Sequence, residues 1–289
     1  MASLRQIRQR MKSIHNIHEI TKAMGMIASF RFKKAESRFT KSRNYFIEME
    51  RLVTNLSGAA GEGLNVNPLF EKRNIKKKAL VVMTGDKGLC GAYNSNLLKM
   101  ATLWLKDNAA FSPVIIPAAK VANDFFRRKH LPTILGYPEK AMADLALAKK
   151  MTQDLKTAFS GGQVDSIEIL YAAYRAGTPG RPQIVPFLSL SYLTAQKTAQ
   201  KEEAAEYIYE PDLNTVFISI LSCYLEGKIY MTLLESLTSE SSARMLAMTQ
   251  ATDNAEEVLD HLKLLRNKTR QATITRELSE IVAGANVLI

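Results

Sequence analysis

Residues 79–105 read ALVVM-TGDKGLCGAYNSN-LLKMATLWL. A five-residue apolar run, a loop punctuated by Gly85, Gly88 and Gly91, and a helix-periodic segment follow one another without a gap. A short apolar run bounded by glycine reads as a buried strand, and apolar residues at 3–4 spacing read as a helix. This strand–turn–helix opens an alternation. Strand-like stretches SPVIIPAA, PTILGY, VDSIEILYAAY and IVPFLSLSYL follow, with helical patterns near 94–109, 119–130 and 140–158 between the first four strands. RAGTPGRPQ reads as the turn joining the last two. Alternation of this kind predicts a mostly parallel, doubly wound α/β sheet, a Rossmann-like domain.

Long helical patterns flank it. Leu4, Ile7, Met11, Ile14, Ile17, Ile20, Met24 and Ile27 recur at steps of three and four, with consecutive threes that predict a stammer in a coiled coil. Ser3 stands where an N-cap is expected, and the pattern runs to about Leu56 before SGAAGEG ends it. At the other end, Pro211 and Asp212 predict a helix start. No proline follows, and Leu259, Leu262, Leu265, Leu278, Ile281, Ala285 and Leu288 keep the helical step. Helices of roughly 55 and 75 residues would be about 80 and 110 Å long. Neither buries its stripe alone, so the two are expected to pair as an antiparallel coiled coil, the second projecting beyond the first. The expected organisation is residues 1–60 as a first helix, 61–209 as an inserted α/β domain and 210–289 as a second helix.

The loop after the first strand sits where α/β proteins often cradle phosphate. It has neither the G-x-x-x-x-G-K-[ST] nor the G-x-G-x-x-G spacing. Its glycines read as a tight turn, and Asp86, Lys87, Gly88 and Gly91 as structural or docking groups. His15 and His18 lie three apart with no third ligand nearby, Cys90 and Cys223 form no metal-ligand spacing, and G-x-S-x-G and H-E-x-x-H are absent. No cofactor, metal or catalytic site is expected. No run approaches the ~18 apolar residues of a membrane span, so membrane contact is expected to be indirect.

The net charge of +11 is uneven. Residues 1–60 hold twelve Lys and Arg against four Asp and Glu, whereas residues 211–289 hold seven against ten. A basic first third calls for an anionic partner: nucleic acid, lipid headgroups or an acidic protein surface. The Arg-rich, acid-free start also has transit-peptide composition, but its helical pattern continues unbroken past any such segment.

Five stretches together resemble one family, the gamma subunit of the rotary F-type ATP synthase, in its bacterial form. ITKAMGMIAS (20–29) is similar to the family's I-T-K-A-M-x-M-V-A, GDKGLCGAYN (85–94) to its S-D-[RK]-G-L-C-G-x-[FY]-N, and EYIYEP (206–211) to Y-x-Y-E-P. LLESLTSESSARMLAMTQATDNAEE (233–257) and NKTRQATITRELSEIVAGA (267–285) resemble its two longest signatures, so the likeness spans the chain. Gly25, Gly85 and Ser242 in SESSARM depart from the pattern, and the cysteine-bearing insertion of chloroplast members is absent.

The resemblance implies a central-stalk rotor without an active site of its own. Its helical pair would turn inside a ring of alpha and beta subunits, and its α/β foot would sit on the epsilon subunit and the membrane ring of c subunits. The complex would lie at the cytoplasmic face of a bacterial inner membrane. Met24, Arg270, Gln271, Thr275 and Glu277 match family positions that contact beta or couple the helices to the ring. Tyr207 and Glu210 match the foot contact with epsilon and the c ring, and the NVLI tail fits a tip turning in an apolar sleeve. The alternative is a basic coiled coil that binds nucleic acid.

Overall fold

The computed structural model describes residues 3–59, 69–70, 74–137, 144–175, 178–190, 210 and 212–287. Its elements are α1 (Leu4–Ala59), β1 (Lys78–Met83), α2 (Tyr93–Asp107), a 3-10 turn (Ala109–Phe111), β2 (Val114–Ala118), α3 (Lys120–Arg128), α4 (Leu145–Ser160), β3 (Ser166–Arg175), β4 (Thr178–Leu188) and α5 (Leu213–Val287). The chain forms two compact units. One comprises residues 1–29 with 244–289, the other residues 30–243.

The larger unit holds a four-stranded sheet of order β2-β1-β3-β4. β1 pairs in parallel with β2 and β3, and β4 runs antiparallel to β3. The chain steps from β1 out to β2, then crosses back to the far side of β1, which is the reversal that defines a doubly wound sheet. Alternation along the strands separates two cores. Ala79, Val81, Met83, Ile167 and Ile169 face α4 and the long helices, while Leu80, Val82, Leu170 and Ala172 face α2 and α3. Both faces are covered, which is why β1 is apolar without a break from Ala79 to Met83.

Two expectations change. PTILGY is not a strand: it touches β2 only through isolated bridges, Ile115 with Thr133 and Ala118 with Tyr137. β4 begins at Thr178, so most of RAGTPGRPQ belongs to the strand rather than to a turn. There Pro182 and Pro186 oppose Ala172 and Glu168 on β3, and β4 lies at the sheet edge, the position that tolerates proline. Helix starts differ less. Ser3 and Gln6 form a reciprocal capping box, with Gln6 N to Ser3 Oγ at 3.3 Å and Ser3 N to Gln6 Oε1 at 3.0 Å. Asp212 is the N-cap of α5 rather than a first-turn residue, accepting from Thr215 N at 2.9 Å and from its hydroxyl at 2.7 Å.

α5 also corrects the hydropathy reading. It carries an 18-residue window of mean hydropathy 1.3, of which 44% is buried inside the protein. The cause is its place against the sheet, where Phe217, Leu221, Tyr224, Leu225, Ile229, Leu233 and Leu234 join the core.

In the smaller unit α1 and α5 run antiparallel. Thr252 Oγ1 donates to Thr21 Oγ1 at 2.9 Å, and a Cβ on Gly25 would lie 3.5 Å from Met248 Cβ. Four residues forward on one helix is thus four back on the other. The seam of α1 passes through Ile7, Met11, Ile14, His18, Thr21, Gly25 and Ala28, and that of α5 through Met248, Thr252, Ala255, Leu259, Leu262, Arg266 and Thr269. Both keep regular steps of three and four, so there is no stammer. Ile17, Ile20 and Ile27 are 48%, 58% and 57% exposed and belong to a second, outward stripe.

Candidate functional site

The loop after β1 is built as a cap. α3 starts at Lys120 behind Ala119, which has no capping side chain. Its first amides find acceptors across the fold instead. Lys120 N donates to Asp86 Oδ1 at 3.4 Å, Val121 N to the Gly85 carbonyl at 3.4 Å and Ala122 N to Thr84 Oγ1 at 3.0 Å. These are the orphan donors that make a helix N-terminus an anion site, and here the protein itself supplies their acceptors. Gly85 N donates to Asn94 Oδ1 at 2.9 Å, and Asn94 Nδ2 to the Lys87 carbonyl at 3.3 Å, tying the loop to α2. Asp86 is half-buried, the Lys87 side chain is exposed, Gly88 has open space around it, and Gly91 adopts φ 57°.

The mouth of the sheet, beyond the carboxyl ends of β1 and β3, is filled by α5. The Tyr93 hydroxyl meets Ser236, 3.0 Å from its carbonyl and 2.9 Å from its Oγ. A Cβ on Gly85 would stand 2.8 Å from the Glu240 carboxylate, and one on Gly180 2.7 Å from Ser239. Tyr174 N donates to Glu235 Oε1 at 3.0 Å, and the Tyr174 hydroxyl to Glu36 Oε1 on α1 at 2.6 Å. Burial raises the pKa of Glu235 against the help of its hydrogen bonds from Tyr174 and Tyr171 and the nearby Arg43. Burial, with the Glu36 carboxylate beside it, pushes the Tyr174 phenol up to about 12. Sequence reasoning missed this seat. Its signal was the run of small polar residues, Ser236, Thr238, Ser239 and Ser241, directly after the apolar Leu233 and Leu234 of α5, all four of them buried.

A second buried polar group lies between the helices of this unit. Tyr224 Oη donates to Glu50 Oε1 at 3.3 Å, and the Lys228 ammonium lies 3.5 Å from that phenol oxygen. Desolvation lowers the Lys228 pKa to about 8, with Glu50 pulling it back. Beside α3 an open groove of about 940 Å³ is lined by Lys120, Asn123, Arg127, His130 and Gly136 among others.

The remaining candidates lie along the helices. Met24 is half-buried, and Arg270, Gln271, Thr275 and Glu277 are exposed on α5. Thr275 Oγ1 donates to the Gln271 carbonyl at 3.0 Å, which holds it on its own helix. These five belong to the smaller unit, and the loop residues and Glu210, which is exposed, to the larger. Tyr207 and the end of the NVLI tail fall outside the described residues. Around them the surface is apolar where nothing covers it: Met26 and Phe30 on α1 are 63% and 71% exposed, Ile274, Leu278, Ile281 and Val282 on α5 48%, 57%, 67% and 58%. Among the described residues no group of three metal-ligating side chains forms.

The class is therefore a pair of antiparallel helices with a doubly wound α/β domain inserted between them, its sheet mouth closed by its own second helix. The sequence profile of the family described as ATP synthase matches residues 3–288. The ATP synthase gamma chain of Chloroherpeton thalassium is 34% identical over 304 residues, covering 100% of this chain and 99% of that one. That of Aromatoleum aromaticum is 36% identical over 291 residues with 99% of both covered, and that of Moorella thermoacetica 32% over 289 with 100% of both. Among solved structures, a chain of the Euglena gracilis mitochondrial ATP synthase has the same fold at TM-score 0.67 and 16% identity, covering 99% of this chain and 94% of that one. A chain in the central stalk and c-ring structure of the Tetrahymena thermophila enzyme matches at TM-score 0.57 and 22% identity, covering 80% and 99%. This chain belongs to the ATP synthase gamma chain family.

Proposed function

We propose that the chain is the rotor shaft of a rotary ATP synthase, carrying torque between a membrane c ring and a catalytic ring of alpha and beta subunits. The observation that carries the reading is the outward apolar stripe on paired helices whose seam is already filled. Ile17, Ile20, Ile27 and Phe30 of α1 remain exposed after the seam has closed, as expected of a shaft enclosed by a protein sleeve. A rotating face acts on each beta subunit as a ligand would, shifting its conformational equilibrium by differential contact with the states. The excess of basic residues over 1–60 suits acidic loops on that ring. The nucleotide chemistry belongs to the partners. This chain supplies no reacting group, and the sheet mouth that could have taken a nucleotide is filled by Ser236, Ser239 and Glu240.

Arg270 and Gln271, exposed side by side on α5, are the proposed contacts with a beta loop, with Met24, Thr275 and Glu277 along the same coupling surface. The α/β domain, with Glu210 and Tyr207, is the proposed seat for epsilon and the c ring. One copy per complex, at the cytoplasmic face of the membrane, follows from that role. Tagged chain should co-purify with ATPase-active alpha and beta subunits. Arg270→Ala combined with Gln271→Ala should lower coupled ATP synthesis several-fold in membranes. Isolation as a lone monomer under mild lysis would overturn the reading, and undiminished synthesis in the double variant would overturn the residue assignment.

A further inference from the structure

Both long helices pack apolar side chains into the core under the sheet, Val53 and Leu56 of α1 among them, but the close polar contacts at its carboxyl end are unequal. Tyr93 with Ser236, Gly85 with Glu240 and Gly180 with Ser239 all join the α/β domain to α5. Tyr174, at the carboxyl end of β3, reaches both helices from a single residue. Its hydroxyl donates to Glu36 on α1 at 2.6 Å, and its backbone amide donates to Glu235 on α5 at 3.0 Å. Its ring packs against Phe32 at 5.8 Å and, edge on, against Phe39 at 6.1 Å, both on α1. β3 is bonded on both sides, to β1 and to β4, so whatever holds its end holds the sheet.

We propose that Tyr174 is the positioning residue that fixes the rotational phase of the α/β domain against both shaft helices. This rests on the rotor reading above. A domain held to α1 by apolar contacts alone, which are non-directional, could follow α5 while α1 slid past it under load. A link to both must break a charge-assisted hydrogen bond, among the stronger polar contacts available, before the domain can turn. The two aromatic neighbours exclude water from one side of the phenol and keep its rotamer, so the hydroxyl meets Glu36 without a search. An amide oxygen in place of the Glu36 carboxylate would keep the acceptor but lose the charge that strengthens the bond.

The test uses the complete membrane enzyme assembled with this chain in liposomes, measuring ATP hydrolysis and ATP-driven proton uptake together. Tyr174→Leu should lower protons taken up per ATP against an opposing gradient at least threefold, with hydrolysis within twofold of the unmutated enzyme. Tyr174→Phe, which keeps the ring, and Glu36→Gln, which keeps an acceptor but not its charge, should both fall between. A probe on a cysteine at Lys99, in a Cys223→Ser background, should show angular fluctuations at least twice as broad with Tyr174→Leu when the alpha–beta ring is immobilised. If that variant fails to assemble, Tyr174→Phe and Glu36→Ala are read by the same width, which a loss of folding stability alone would leave unchanged. Assembled variants with unmutated width and ratio overturn the proposal. An unmutated enzyme that hydrolyses ATP without pumping overturns the rotor reading instead.

Discussion

At Gly180 the strand β4 lets a helix come closer than any side chain would allow. A Cβ there would lie 2.7 Å from Ser239 Cβ and 3.0 Å from the Ala173 carbonyl, neither of which can swing away. Gly180→Ala should therefore destabilise the chain by about 1–3 kcal/mol, the usual cost of overpacking, read as a lower urea midpoint. Ser239→Gly placed in the same chain should recover part of that loss, and an additive effect of the two changes would refute the contact. Ser239 is otherwise an uncomfortable residue, since its buried Oγ has no hydrogen-bond partner among the described residues. Its small volume is what the site uses. Gly85 differs in kind: the atoms it makes room for are the end of the flexible Glu240 side chain, so an alanine there should cost less.

At the scale of elements the seam of α1 was only half legible. Apolar residues identify a helical stripe, but Ile17, Ile20 and Ile27 outweigh His18, Thr21 and Gly25 in any hydropathy count, although the latter three face α5. The apparent stammer was two stripes read as one. Gly25 is not required by its neighbour, because a Cβ would meet Met248 at an ordinary 3.5 Å. Gly25→Ala should raise stability by up to about 1 kcal/mol through helix propensity, measured as a higher thermal midpoint. Of the strand-like stretches, one did not form a strand. PTILGY has strand composition, but only two of its positions bridge to β2, at the sheet edge.

Lys228, beside Tyr224 on α5 and near Glu50 of α1, is buried at a cost that depends on pH. Its folded pKa of about 8 lies below the usual lysine value near 10.5. Between them the unfolded chain holds the extra proton, so raising the pH favours the folded state over that interval. Stability should climb between about pH 8 and 9.5, and Lys228→Met should flatten the climb. Above that the tyrosines oppose it. Tyr137 and Tyr171, raised chiefly by burial, keep their protons when folded, so their share is lost as pH rises past the ordinary phenol value. Denaturant midpoints at half-unit pH steps, in both chains, would separate the two trends.

The whole molecule places its polar seats around the sheet and leaves apolar side chains outward on α1 and α5. A chain of this kind is expected to be a poor monomer and a good component. Replacing Ile20, Ile27 and Phe30 by serine should improve the solubility of the isolated chain. Because these side chains are 58%, 57% and 71% exposed, folding should be little changed by circular dichroism. The same variant should co-purify with at least tenfold less alpha and beta subunit if those side chains bear on the ring. Equal recovery would show that the exposed stripe is not the bearing surface.

The sequence by itself determined the two long helices, the α/β character of the insertion between them and the family, because periodicity, punctuation and motif spacing are local properties of the chain. It also determined that the loop TGDKGLCGAYNSN lacks both phosphate-binding glycine patterns. Only the tertiary structure decided what the loop does. Thr84, Gly85 and Asp86 cap α3, and Glu240 closes against Gly85 from more than 150 positions away. Contacts between residues so distant leave no periodicity to read. They depend on how closely two backbones approach, and that is settled only when α5 packs onto the end of the sheet.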